Sequence, residues 1–159
     1  MDAPLPDQPA TYFRKGFGLK SDVQAELSAD YSGRIVDLLR EHDNTLAAGD
    51  VTIRLAGEFG FCYGVERAVE YAYQTHRKFP GRHLVLVGEI IHNPHVNDRL
   101  RGMGIEILQP DERGEFDFGA IRVDDVVILP AFGVTIEAFA ALRAIGCVLV
   151  DTTCGSVLN

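Results

Sequence analysis

Two cysteines stand where chemistry is easiest to build. Cys62 lies in "GEFGFCYGVERAVEYAY", Gly57 to Tyr73, between Gly60 and Gly64, where a strand-like run gives way to helical periodicity. Cys154 ends "CVLVDTTC", directly after another apolar run. A thiol at a helix start faces free N–H groups and the positive end of a dipole, which favours thiolate over thiol. Thiolates bind iron or zinc and act as nucleophiles. The same position also suits inert packing, and one cysteine alone does not separate these readings. Cys147 begins a strand among apolar residues and reads as packing.

His92 is the third candidate. It precedes Asn93-Pro94, a good N-cap followed by a good first helical residue. Helix starts attract anions, and an imidazole adds a hydrogen bond or a proton. Capping or filling is the other reading. His42, His76, His83 and His95 read as surface residues, and Glu66 and Arg67 as a solvated helix face. Asp151, Thr152 and Thr153 are suited to satisfying backbone groups in the turn that presents Cys154.

The elements that must position these residues alternate. Ile35, Leu38, Leu39 and Leu46 fall on one helical face, predicting a helix from Arg34 with Gly49 as its stop. Val51–Gly57 is short and β-branched, predicting a strand. Val65, Ala68, Val69, Ala72 and Tyr73 predict a helix with one buried stripe, ended by Pro80-Gly81. Strands are expected over His83–Ile91, Ile105–Leu108, Val126–Gly133 and from Cys147. Helices are expected after Asn93 and through "VTIEAFAALRAIG", with a polar loop over 109–125. Residues 1 to about 30 show no firm periodicity, and "MDAPLPDQPATYFRKGFGLK" reads as an acidic, proline-bearing leader followed by a short basic stretch.

Such alternation predicts an α/β fold, a parallel sheet with helices on both faces. Ligands of open parallel sheets sit beyond the carboxyl ends of the strands. Cys62, His92, Phe132-Gly133 and Cys154 each follow a predicted strand, so the two cysteines are expected on one rim.

Composition narrows the classes. Hydrophobic residues make up 47% and charged residues 24%, the balance of a globular domain. A net charge of -8 argues against nucleic acid and anionic membranes as partners. No apolar run approaches a membrane span, and no secretory signal is evident, so a cytoplasmic location is expected. Three cysteines without a C-x-x-C suit neither a disulfide framework nor a compact zinc site. The chain lacks a G-x-G-x-x-G after a strand and a P-loop, which weakens a nucleotide-binding reading. A thiol-redox protein using Cys62, with Cys154 as its resolving partner, and a non-catalytic α/β interaction module remain open on residue types alone.

Four motifs go further. "GFCYGVERAVEYA", "GEIIHNPHVNDRLRGMGI", "VVILPAFGV" and "VDTTCGSV", in this order and at these separations, resemble the 4-hydroxy-3-methylbut-2-enyl diphosphate reductase (IspH, or LytB) family. The resemblance runs from about Val51 to the last residue. "YFRKGFGLKSDVQAEL" is similar to the N-terminal extension of the longer plant and cyanobacterial members. It implies a three-lobed αβ protein holding a [4Fe–4S] cluster through one cysteine from each lobe. Cys62 matches the first ligand and Cys154 the second, and the third belongs to a lobe this chain does not contain. His92 matches a histidine that contacts the substrate diphosphate. A second such histidine, in an "AHGV"-like motif of many bacterial members, is replaced here by Phe132, as in the longer members.

The acidic proton donor, and serine and asparagine contacts to the diphosphate, are implied in later lobes, so no catalytic residue is assigned here. The implied reaction is reductive dehydroxylation to isopentenyl and dimethylallyl diphosphates, with electrons from a ferredoxin- or flavodoxin-type donor. Residues 1–49 are then expected to form an extension with one helix. Residues 50–159 are expected to form the first lobe, truncated after the second cluster cysteine and inactive alone.

Overall fold

The computed structural model describes residues 11–157; the leader at 1–10 and the last two residues lie outside it. A five-stranded, wholly parallel sheet forms the centre. Its strands are β1 (Tyr12–Phe13), β4 (Leu84–Val87), β5 (Ile105–Leu108), β6 (Val126–Leu129) and β7 (Val148–Asp151), in the order β1-β7-β6-β4-β5. The runs LVLV, VVIL and VLVD are buried residue by residue. Continuous apolar strands of this kind belong to a sheet covered on both faces.

Alternate residues serve the two faces. Leu84, Leu86, Val126, Ile128 and Val150 pack with Ala68, Val69, Ala72 and Tyr73 of α3 (Tyr63–Lys78) and Val96 and Leu100 of α4 (Pro94–Gly102). Val23 of α1 (Lys20–Tyr31) joins that layer. Val85, Val87, Val127, Leu129 and Leu149 pack with Leu142 and Phe139 of α5 (Ile136–Ile145), and with Ile121, Phe116 and Phe118 from the 109–125 loop. The caps follow the sequence: Asn93 Oδ1 accepts from the Val96 N–H at 3.3 Å, and Thr135 Oγ1 accepts from the Ala138 N–H at 3.1 Å.

Three expectations are corrected ahead of residue 60. The helix from Arg34 stops at Glu41 as α2, because Asp43 and Asn44 adopt left-handed φ of 53° and 59°, which those two residues tolerate. Leu46 then lies in β2 (Thr45–Ala48) rather than on that helix. The strand preceding Cys62 is β3 (Val51–Arg54), exposed at every residue, which pairs antiparallel with β2 in a separate hairpin. The edge beside β7 is taken instead by β1, anchored by Leu149 N–H donating to the Thr11 carbonyl at 2.7 Å. A second helix, α1, fills the stretch without apolar period; Val23 is its one buried residue.

Candidate functional site

The rim at the carboxyl ends of the strands is continuous. β7 ends in a turn fixed by its own side chains. Asp151 Oδ1 accepts from the Thr153 N–H at 2.9 Å, and the Thr152 hydroxyl donates to the Leu129 carbonyl at 2.6 Å. Cys154 N–H donates to the Ala131 carbonyl at 2.9 Å, extending the β6–β7 pairing to the cysteine itself. Asp151 thus satisfies a backbone N–H of this turn as expected, the Thr152 hydroxyl bonds β6 instead, and Thr153 takes part through its backbone; all three are buried.

Cys154 meets α3. A Cβ built on Gly64 would fall inside the Cys154 sulfur, and within 3.0 Å of its Cβ. The space that Gly64 leaves is therefore filled by the distant cysteine. Gly60 instead turns the chain, with a φ of +91° and nothing near its missing side chain. Cys62 is the N-cap residue of α3, exposed and without a side-chain capping bond. The two cysteines are thus brought to the same helix start. Cys147 is buried in the second core layer, with its thiol pushed up by burial, as packing requires.

Hydrogen bonding from the Ser156 backbone and hydroxyl lowers the Cys154 thiol below its ordinary value, with smaller help from Val157 and the Arg67 charge. Arg67 is not simply solvated. Its guanidinium donates to the Thr153 carbonyl at 3.3 Å and the Arg14 carbonyl at 2.6 Å, and lies 4.6 Å from the Tyr71 ring centroid. Gly64, Arg67 and Tyr71 stand at i, i+3 and i+7, and that shared face was the available signal. Asp151 also receives the Tyr12 hydroxyl at 2.6 Å. Burial, then the Asp151 contact, pushes the Tyr12 phenol up to about 12.

His92 sits farther along the rim. Its ring stacks on Phe132 with centroids 4.8 Å apart and planes 19° from parallel. Nδ1 lies 3.1 Å from Glu89 Oε2, and the ring is otherwise open to solvent. Its loop is locked from below by buried Asn97, which accepts from the Ile90 N–H at 3.1 Å and donates to the Ile91 carbonyl at 2.8 Å. Asn97 is not among the residues that the sequence singles out. A groove of ≈ 930 Å³ runs from Glu89 and His92 past Phe132 to Thr135 at the start of α5. Among the described residues no group of three or more His, Cys, Asp or Glu is gathered for a metal ion, and no helix is long and apolar enough to cross a membrane.

Comparison with known proteins gives one family. 4-Hydroxy-3-methylbut-2-enyl diphosphate reductase of Gloeobacter violaceus is 51% identical over 150 residues, covering 92% of this chain and 36% of that protein. The enzyme of the same name from a Cyanothece species is 46% identical over 143 residues, 90% of this chain and 35% of the relative. The chain thus spans about a third of the length of these relatives. Among solved structures, the E-1-hydroxy-2-methyl-but-2-enyl-4-diphosphate reductase of Plasmodium falciparum superposes with a TM-score of 0.54 at 22% identity, over 62% of this chain and 29% of that one; it bears on the fold alone. The family model described as LytB protein matches residues 53–159, from within β3 past Cys154. That match takes in both cysteine turns, the His92 loop and well over half of the chain, and the protein belongs to the LytB family.

Proposed function

We propose that this chain is the amino-terminal lobe of a 4-hydroxy-3-methylbut-2-enyl diphosphate reductase, with residues 50–159 as the first of three αβ lobes and 1–49 as its extension. The observation that carries the reading is the Cys154 sulfur seated against Gly64, at the start of the helix capped by Cys62. Two thiols remote in sequence, one of them lowered in pKa, share the positive end of α3. That donor set fits two of the three cysteine ligands of a [4Fe–4S] cluster, the third coming from a later lobe. When bound, the cluster supplies electrons and an iron site without a cysteine that acts as a Lewis acid toward the substrate oxygen.

This chain's own residues bind and orient. Cys62 and Cys154 are the ligands it contributes. Arg67 keeps the Thr153 carbonyl, and with it the Cys154 turn, against α3. His92 donates Nε2–H to a diphosphate oxygen, its Nδ1–H donates to Glu89 Oε2, and Phe132 fixes the ring plane. The start of α4, immediately beyond His92, favours the same anion. The reaction is loss of the substrate hydroxyl as water on uptake of two electrons and two protons, giving isopentenyl and dimethylallyl diphosphates, with a ferredoxin- or flavodoxin-type protein as electron donor.

The test is anaerobic reconstitution with iron and sulfide of the complete protein and of residues 1–159. The complete protein is expected to be brown and to reduce the diphosphate substrate. Cys62→Ser or Cys154→Ser should abolish both properties, and residues 1–159 alone should hold little iron and show no turnover. A stable cluster with activity on residues 1–159 would contradict the lobe assignment. A colourless complete protein that forms a Cys62–Cys154 disulfide would favour thiol-redox chemistry instead.

A further inference from the structure

The segment before Cys62 lies outside the sheet, yet side chains from the two preceding helices hold it. Tyr31, the last residue of α1, meets Phe61 edge-on with centroids 6.2 Å apart. The same ring contacts Tyr73 of α3 and His95 of α4, each at 6.1 Å. The Tyr73 hydroxyl donates to Asp30 Oδ2 at 2.7 Å and lies 3.1 Å from the Tyr31 hydroxyl, and Arg99 Nε donates to the same Asp30 oxygen at 2.7 Å. On the other flank, Arg40 of α2 stands over the Phe59 ring at 5.1 Å. Phe59 and Phe61 thus bracket Gly60 and are each gripped by a different helix.

Neither phenylalanine has a core to lean on, since they are 44% and 39% exposed. Gly60 between them has no neighbour to restrain it, and Cys62 makes no capping bond of its own. A glycine turn between two half-exposed rings, fed by an exposed hairpin, is free to move unless something outside the sheet holds it.

We infer that residues 20–41 act as a clamp that sets Cys62 relative to Cys154, with Tyr31 as a positioning residue acting through Phe61 and Arg40 acting through Phe59. The inference rests on the reading of the two thiols as a working pair. It also gives the extension a role, because the family match begins at residue 53 and the clamp is built from residues outside that match.

The experiment uses the 159-residue chain carrying Cys147→Ala, which leaves Cys62 and Cys154 as its only thiols. A bis-maleimide with a short spacer bridges them, and peptide mass spectrometry follows the rate. Tyr31→Ala is expected to slow bridging about fivefold, and Tyr31→Phe, which keeps the ring, to bridge at the parent's rate. Arg40→Ala, on an exposed side chain that cannot unfold the core, is expected to slow it about twofold. Labelling of each thiol by a monofunctional maleimide should not change, which separates position from reactivity. A parent-like bridging rate in Arg40→Ala, or in a folded Tyr31→Ala chain, overturns the clamp. A parent that bridges at no measurable rate overturns the paired-thiol reading, and the clamp with it.

Discussion

The two cysteine turns are built by opposite means. Cys154 ends a buried strand, and backbone and hydroxyl hydrogen bonds tie its turn to the end of β6 and to itself. Cys62 follows an exposed hairpin, and what steadies its approach is aromatic and cationic contact from α1 and α2. One thiol is therefore set by the sheet and the other by side chains reaching in from outside. The difference teaches that a site on one rim need not be uniformly rigid; here one half is fixed by the fold and the other half is adjustable.

The sharpest way to break that contrast is at their meeting point. Gly64→Ala should cost about 1–3 kcal/mol in urea unfolding, because the thiol must swing away or its turn retreat. Bridging of Cys62 to Cys154 should fall roughly tenfold in the same variant. Next comes the rigid half. Thr152→Val removes the buried bond to the Leu129 carbonyl and should cost about 1 kcal/mol, loosening amide exchange at Cys154 without altering Phe61.

The adjustable half should answer to acid. Burial pushes the Asp30 carboxyl up, but hydrogen bonds from Tyr73 and Arg99 outweigh it, and the net pKa is lowered. A carboxyl lowered by folding contributes stability above its unfolded pKa, about 3.9, and loses it as pH falls through the folded value. Asp30→Asn should therefore lose somewhat under about 1 kcal/mol at neutral pH and flatten the acid limb of the urea midpoint.

The smallest effect lies at the far end of the sheet. The Glu106 hydrogen bond raises the His83 pKa, against burial and with help from Asp125. Its stabilising share is complete below the unfolded value, about 6.5, and is lost as pH rises through the raised folded value. His83→Gln should remove that slope, worth well under about 1 kcal/mol at this exposed site, and leave both cysteine turns untouched.

What the sequence disclosed follows the same division. Strands β4 to β7 and the Asn93-Pro94 start were legible because each depends on local periodicity or on a capping side chain, whereas the two-residue β1 carries no such period. The rim position of Cys154 was legible because parallel sheets collect their strand ends; the same premise does not hold for Cys62, whose preceding strand lies in the separate hairpin and which comes to the rim as the N-cap of α3. The hairpin was not legible, although Asp43-Asn44 offered a turn signal, because the spacing of Leu38, Leu39 and Leu46 fits a helix as well. α1 was hidden for a physical reason: only Val23, Leu27 and Tyr31 face the core, a stripe one residue wide, and polar bonds of Asp30 and Tyr31 hold its end. Asn97 was hidden because its partners are a backbone amide and a backbone carbonyl, which carry no residue-specific mark, while for Arg67 only the face shared with Gly64 and Tyr71 was on offer.

The placement of β1 has a kinetic consequence. Tyr12 and Phe13 pair with Leu149 and Val150, so the edge of the sheet joins the two ends of the described chain. During synthesis β1 has no partner until β7 leaves the ribosome, and the entropy of closing so long a loop is met only after β4, β5 and β6 have assembled. The first strand of the described residues is thus expected to dock last. A pulse of amide exchange during refolding should find Leu149, whose N–H donates to Thr11, gaining protection after the amides of the β4–β6 ladder.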